Sequence, residues 1–210
     1  MVFVKTYPAP PIDRDEIRRY AGMREIDDVV AVLLDEVIAE ASPLLTYTVC
    51  FTELPLTLTE QTVDLGAFQV TSRSLCHALQ GCHSVVAFAA TVGLKLDRLL
   101  NKYTAVSPTK AVLLSAFGTE RVEALCDAFQ RDIHADAPRF SAGYGDCPLT
   151  MQRDLFRVLD PAHHIGVTLS DSLMMSPVKS VTALIGIGAD GTAHGCETCN
   201  KTDCVHRRQV

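Results

Sequence analysis

The 210-residue chain is predicted to fold as a single α+β domain, with a mostly antiparallel central sheet flanked by helices. Three observations lead there. Apolar residues recur at helical period in some stretches and at period two in others. The two kinds of stretch alternate irregularly, and several strand pairs lack the long crossover that a parallel sheet needs. The composition is 48% apolar and 21% charged, enough for one core at this length and unlike a disordered or low-complexity chain.

The elements follow in order. The opening is extended and proline-rich through Pro8, Pro10 and Pro11. Asp13 is placed to cap a short helix through Tyr20. Ile26, Val29, Val30, Leu33, Leu34, Val37 and Ile38 form one apolar face of a second helix, with Asp27 and Asp28 in its first turn and Pro43 stopping it. Tyr47, Val49 and Phe51 alternate with Thr46, Thr48 and Cys50, as in a half-buried strand. Thr57 to Leu65 is weaker strand material. Ser72 caps a helix ending near Gly81, and the continuous apolar run Val85 to Ala90 suits a central strand. Thr91 is read as the cap of a helix to about Tyr103, and Pro108 as the first turn of a long helix to about His134. Pro148 opens another to Leu159. Ile165–Leu169 and Ser180–Ile187 read as strands, with His163 and His164 in an exposed loop before them. The main domain is expected over 1–192, and a Cys-rich C-terminal tail over 193–210.

Charge and hydropathy exclude several classes. A net charge of −6 argues against a phosphate-binding surface, so no nucleic-acid partner is expected. The longest stretch free of Asp, Glu, Lys and Arg, Ser74 to Leu94, carries His77, Gln80, His83 and two glycines, which excludes a membrane span. The N-terminus is not a secretory signal, and eight cysteines are too sparse for a disulfide scaffold. A cytoplasmic protein is expected.

Gly186, Gly188 and Gly191 spell G-x-G-x-x-G, but no amphipathic helix follows to meet a pyrophosphate, and an Asp190–Gly191 turn accounts for it better. The segment RFSAGYGDCPL, Arg139 to Leu149, combines a guanidinium, two glycines that let a ligand approach the backbone, an aromatic ring and a thiol. Arg139 is suited to clamping a carboxylate. Cys147 is expected at a helix N-terminus, where a thiol pKa falls. An ordinary glycine-rich loop is the plainer alternative. Cys196, Cys199 and Cys204 form C-x2-C-x4-C, thiolate spacing that suits zinc or an iron–sulfur cluster, with His206, His194 or Cys147 as a further ligand. Idle thiols are the alternative there. Cys76, His77, Cys82 and His83 read as core and helix-end residues, and Met174 and Met175 as packing.

Arg139, Gly143, Tyr144, Cys147 and Pro148, as R-x-x-x-G-Y-x-x-C-P, resemble the signature of the activation (reactivation) domain of cobalamin-dependent methionine synthase. IGVTLSDSLMMSPVKSVTALIGI is similar to that family through Ser172, Met175, Pro177, Ser180 and Val181, and HALQGCHSVVAFAATVG resembles its shorter relatives. The resemblance implies a free-standing activation domain that binds S-adenosylmethionine. Its role would be accessory: reductive reactivation, by methylation, of a cobalamin-dependent methionine synthase or related corrinoid methyltransferase. The partner would supply the cobalamin and a flavodoxin or ferredoxin the electron, so the chain would be a component of methionine biosynthesis rather than an independent enzyme. The resemblance makes Arg139 the carboxylate clamp, Ala142, Gly143 and Tyr144 the ligand-facing loop, and Glu123 in VEALCDAF a ligand contact. From the residues alone, Glu123 shares a solvated polar stripe with Glu120, Asp127 and Gln130. The family has an aromatic in its last strand, where this chain has Thr182-Ala183-Leu184-Ile185, so a tyrosine contact to the ligand is missing. A metal or iron–sulfur redox protein, using the tail cysteines on the same scaffold, is the competing reading.

Overall fold

The computed structural model describes residues 1–188 except 26 and 136. In chain order the elements are β1 (Phe3–Tyr7), α1 (Arg14–Tyr20), α2 (Asp28–Ala41), a 3-10 turn (Ser42–Leu44), β2 (Tyr47–Pro55), β3 (Thr57–Leu58), β4 (Thr62–Asp64), β5 (Gln69–Thr71), α3 (Arg73–Ala78) and β6 (Ser84–Thr91). They continue through α4 (Lys95–Val106), α5 (Pro108–Asp132), α6 (Met151–Leu159), α7 (Pro161–Ile165), β7 (Thr168–Leu169), β8 (Met175–Ser176) and β9 (Ser180–Ile187). The main sheet has the order β1-β2-β6-β9 and every pair is antiparallel. The fold class expected from the sequence is the one observed.

The sheet is covered on both faces, and this decides the burial of its strands. Val49, Phe88, Ala90, Ala183 and Ile185 face a core built with α1, α2, α4 and α5. Cys50, Val85, Ala87, Ala89 and Leu184 face a second core with α3, α6 and the β3-β4-β5 hairpins. Every residue of β6 is buried. The alternation in β2 marks two cores rather than a core and a solvent face, so Cys50 is as inaccessible as Val49.

Most helices begin where their caps predict. Asp13 accepts from the Asp15 and Glu16 amides and Ser72 from Leu75; Asp27, expected in the first turn of α2, is instead its cap and accepts from the Val30 amide. Three starts differ. Thr91 is the last residue of β6 rather than a cap; its hydroxyl accepts from the Gly93 amide, and α4 starts at Lys95. Residues 148–150 form tight turns that hand the chain to α6 at Met151. His163 and His164 lie on the short helix α7, not in a loop, and Ile165 ends that helix rather than opening a strand. Val29 stands exposed at the start of α2, whose buried residues are Leu34, Val37 and Ala41.

The N-terminal segment is not merely extended. β1 pairs with β2, the Phe3 ring rests on Phe51, and Lys5 and Tyr7 donate to Asp132 at the end of α5, at 2.6 and 2.9 Å. Beyond it, Arg121 of α5, fully buried, donates to the Pro10 and Pro11 carbonyls, each at 2.6 Å, and pairs with the buried Glu120. Glu120 in turn accepts from the Asp13 amide at 3.1 Å. The polar stripe expected on α5 therefore splits. Glu120 lies under the N-terminal segment, whereas Glu123, Asp127 and Gln130 face the loop after α5.

Candidate functional site

The site is assembled where the chain leaves α5 and turns back along it. Gln130 holds the turn: its side-chain amide donates to the Ala135 and Ala137 carbonyls at 3.1 and 2.9 Å. Phe140 then exchanges two backbone hydrogen bonds of 2.9 Å with Leu184, pinning the returning segment to the outer edge of β9. The effect is to place Arg139 over α5.

There the guanidinium donates to Asp127 Oδ1 at 2.6 Å, to Gln130 Oε1 at 3.0 Å and to Glu123 Oε2 at 3.0 Å. Glu123 and Asp127 are four residues apart, so the helix puts both carboxylates on one face. Alone they would repel; Arg139 bridges them. Burial opposes the charge on Arg139, and the flanking Asp127 and Glu123 carboxylates outweigh it, leaving its pKa above the ordinary value. The neighbouring Cys126 thiol is itself pushed up by burial. The cluster keeps a surface: the Arg139, Glu123 and Asp127 side chains are 18%, 33% and 39% exposed.

Tyr144 stands beside this cluster. It is 57% exposed, packs edge-on against Phe140 with 5.9 Å between ring centres, and its phenol is held above its usual pKa by partial desolvation and then by Glu123. Ala142 is half-buried against the second core. The two loop glycines do different things. Gly143, at φ +86, is exposed, and a Cβ there would only touch Leu149 at 3.4 Å. Gly145, at φ +55, is bare because the protein fills the space itself: a Cβ would lie 2.4 Å from Ser74 Oγ. Next to it, Asp146 accepts from the Ser72 hydroxyl at 2.6 Å and from the Arg73 and Ser74 amides at 2.9 and 3.0 Å. These bonds hold its carboxyl well below the usual range and lock the loop to the start of α3.

Cys147 does not behave as its sequence position suggests. It precedes α6 by four residues, is buried, and has its Sγ 3.7 Å from Met151 Sδ. Burial pushes its thiol up to about 11, so it is neither an activated nucleophile nor a ready metal ligand. Leu184 and Ile185, where the family's aromatic would fall, are buried. Among the described residues no group of three or more His, Cys, Asp or Glu side chains could hold a metal. Cys196, Cys199, Cys204, His194 and His206, and the Asp190–Gly191 turn, lie outside the described residues. Among the described residues no helix is long and apolar enough to cross a membrane.

Sequence reasoning brought Arg139, Glu123 and Tyr144 together, and the structure seats them side by side. It missed Asp127 and Gln130 as partners of Arg139, and Asp146 as the anchor of the loop. The i, i+4 carboxylate pair ahead of an arginine loop was the available signal for the first.

Residues 131–209 match the family described as vitamin B12 dependent methionine synthase, activation domain. No curated protein matches the chain. Among solved structures, a crystal structure of the MetH reactivation domain bound to AdoHcy is similar over 92% of this chain and 80% of that one, with a TM-score of 0.65 and 14% identity. The cluster around Arg139 falls at the junction of these findings: Arg139 and its loop lie inside the matched segment, and Glu123 and Asp127 lie on the helix that leads into it. Residues 131–209 thus match the activation domain of vitamin B12 dependent methionine synthases, within a chain that takes the reactivation-domain fold.

Proposed function

We propose that this chain binds S-adenosylmethionine at the Arg139 cluster and serves the reductive reactivation of a cobalamin-dependent methionine synthase or a related corrinoid methyltransferase. The observation that carries the reading is the guanidinium shared between two carboxylates on one helix face, at 2.6 and 3.0 Å. A free amino-acid end needs a donor fork for its carboxylate and an acceptor for its ammonium. Arg139 supplies the first, and Glu123 with Asp127 the second. S-adenosylmethionine also carries a sulfonium, hence a net positive charge, and the cluster of one cation and two anions complements it. Tyr144, exposed beside Glu123, offers a ring to the nucleoside or the sulfonium. The related reactivation domain was crystallised with AdoHcy, which differs from that ligand by the sulfonium methyl and its charge.

The partner's cobalamin, reduced by a donor such as a flavodoxin or ferredoxin, supplies the methyl acceptor. In this reading Arg139, Glu123 and Asp127 hold the amino-acid end of the ligand. The chain is then a component of the methyl-transfer system with no separate turnover of its own.

Calorimetric titration tests the reading. The chain is expected to bind S-adenosylmethionine more tightly than AdoHcy. Arg139→Ala is expected to weaken S-adenosylmethionine binding by about 1.5–3 kcal/mol, roughly 10- to 150-fold. With a corrinoid methyltransferase and a reductant present, the same variant should slow the conversion of cob(II)alamin absorbance to that of methylcobalamin. Absence of heat at millimolar ligand, or unchanged affinity in Arg139→Ala, would overturn it.

A further inference from the structure

Four polar side chains of α5 stand four residues apart: Ser115, Thr119, Glu123 and Asp127. All four are partly buried, and that spacing lays them along a single ridge of the helix. Arg139 bridges the last two. Lys179, the residue before β9, bridges the first two: its ammonium donates to Ser115 Oγ at 3.0 Å and to Thr119 Oγ1 at 2.8 Å. The lysine is fixed by its backbone and by its stem. Its carbonyl accepts from the Val92 amide at 3.2 Å, and the stem crosses α5 at Gly118, where a Cβ would lie 3.0 Å from Lys179 Cγ. Unlike Arg139, it has no carboxylate in ion-pair contact among the described residues, and Asp97 acts on it only at longer range.

The bonding capacity left over suits hydroxyl groups. An ammonium has three N–H donors, and two of them are taken. Thr119 spends its proton on the Ser115 carbonyl at 3.0 Å, whereas the Ser115 hydroxyl accepts from Lys179 and donates to nothing among the described residues. The cluster still offers two donors, together with the unused lone pairs of two hydroxyls. That complements two vicinal oxygens which each accept and donate, and a ribose diol is such a pair. The spacing agrees. The Ser115–Thr119 pair stands eight residues before the Glu123–Asp127 pair, about 12 Å along the helix. In S-adenosylmethionine about nine bonds separate a carboxylate oxygen from the 3′ hydroxyl, roughly 11 Å when extended. We propose that Lys179, Ser115 and Thr119 take the ribose hydroxyls of the S-adenosylmethionine whose amino-acid end Arg139 holds. The inference rests on the Arg139 reading and extends it along α5, with Glu123 separating the two cations.

The test titrates the full-length chain by calorimetry with S-adenosylmethionine and with its 2′,3′-dideoxy analogue. The unaltered chain should bind the analogue about tenfold or more weakly, the loss of a hydrogen bond to a charged group. Lys179→Met keeps an apolar stem over Gly118 and removes the ammonium. It should weaken S-adenosylmethionine about tenfold and bind the two ligands about equally. Ser115→Ala places the best helix former on the ridge and should narrow the preference about fivefold. It carries the test if circular dichroism shows that Lys179→Met folds poorly. A purely structural role for either residue would lower both affinities alike and leave the preference intact. The proposal is overturned if the unaltered chain does not distinguish the two ligands, or if Lys179→Met, when folded, or Ser115→Ala keeps the full preference. Binding that depends on Arg139 but not on the ribose hydroxyls removes this inference and leaves the Arg139 reading standing. Absence of heat with either ligand at millimolar concentration removes both.

Discussion

Replacing Glu120 with alanine isolates what the buried pair on α5 contributes. In the native fold Arg121 is fully buried; its guanidinium donates to the Pro10 and Pro11 carbonyls and to Glu120, interacts with the Tyr47 hydroxyl and lies over the Phe117 ring. Glu120→Ala keeps the carbonyls but removes the only counter-charge bonded to Arg121 among the described residues, and it strips the Asp13 amide of its acceptor. Breaking a buried pair in this way costs about 3–5 kcal/mol, because the remaining charge is left uncompensated. That is a large share of the 5–15 kcal/mol typical of a whole domain. For a chain of this size each kcal/mol moves Tm by about 2–4 °C, so a fall of roughly 6–20 °C is expected. The chain has no Trp, so thermal and urea unfolding are best followed by far-UV circular dichroism. The Glu120→Leu, Arg121→Met double variant is the discriminating control. An apolar pair of similar volume removes both charges, and the Pro10 and Pro11 carbonyls, near the surface, can turn to water, so most of the lost stability should return. A Glu120→Ala variant melting within about 2 °C of the unaltered chain, or a double variant as unstable as the single one, would refute the account of the N-terminal segment as held by this pair.

Two further outcomes follow from the site loop. Asp146 has its pKa lowered by the Ser72 hydroxyl and the Ser74 and Arg73 amides, so its contribution is fully present above the ordinary carboxylate pKa and is lost as pH falls through the depressed folded value. The stability difference between the unaltered chain and Asp146→Asn should therefore be constant from neutral pH down to about pH 5 and shrink below it; a difference that grows on acidification would contradict the assignment. Cys147, with its thiol pushed up to about 11 by burial, should resist iodoacetamide in the folded chain at pH 8 and react only on unfolding, as read by mass spectrometry of the alkylated peptides. Rapid native labelling would show that the loop opens.

Where neighbours in sequence are neighbours in space, the sequence alone was enough. It marked Asp13 and Ser72 as caps, Pro108 as the opening of the long helix and Ser180–Ile187 as a strand. It also singled out Arg139, Glu123 and Tyr144, through a motif whose residues lie within one loop and one helix face. What it missed depends on segments far apart in the chain. β1 forms by pairing with β2, and its Lys5 and Tyr7 meet Asp132 more than 120 positions later; no local propensity in a proline-rich opening reports either. Glu120 and Glu123 look equivalent on the helix, yet one is buried under residues 10–13 and the other faces Arg139. Cys147 sits ahead of a helix, where a thiol would be expected to ionise more readily, but the second core removes its solvent, and desolvation outweighs the helix dipole. Gly186 and Gly188 spell part of a nucleotide motif that the sequence itself rejects for want of a following helix, but a pattern of missing side chains does not say what fills the space. Only the folded chain shows Cys82 and His83 filling it, brought there by strand pairing between segments a hundred residues apart.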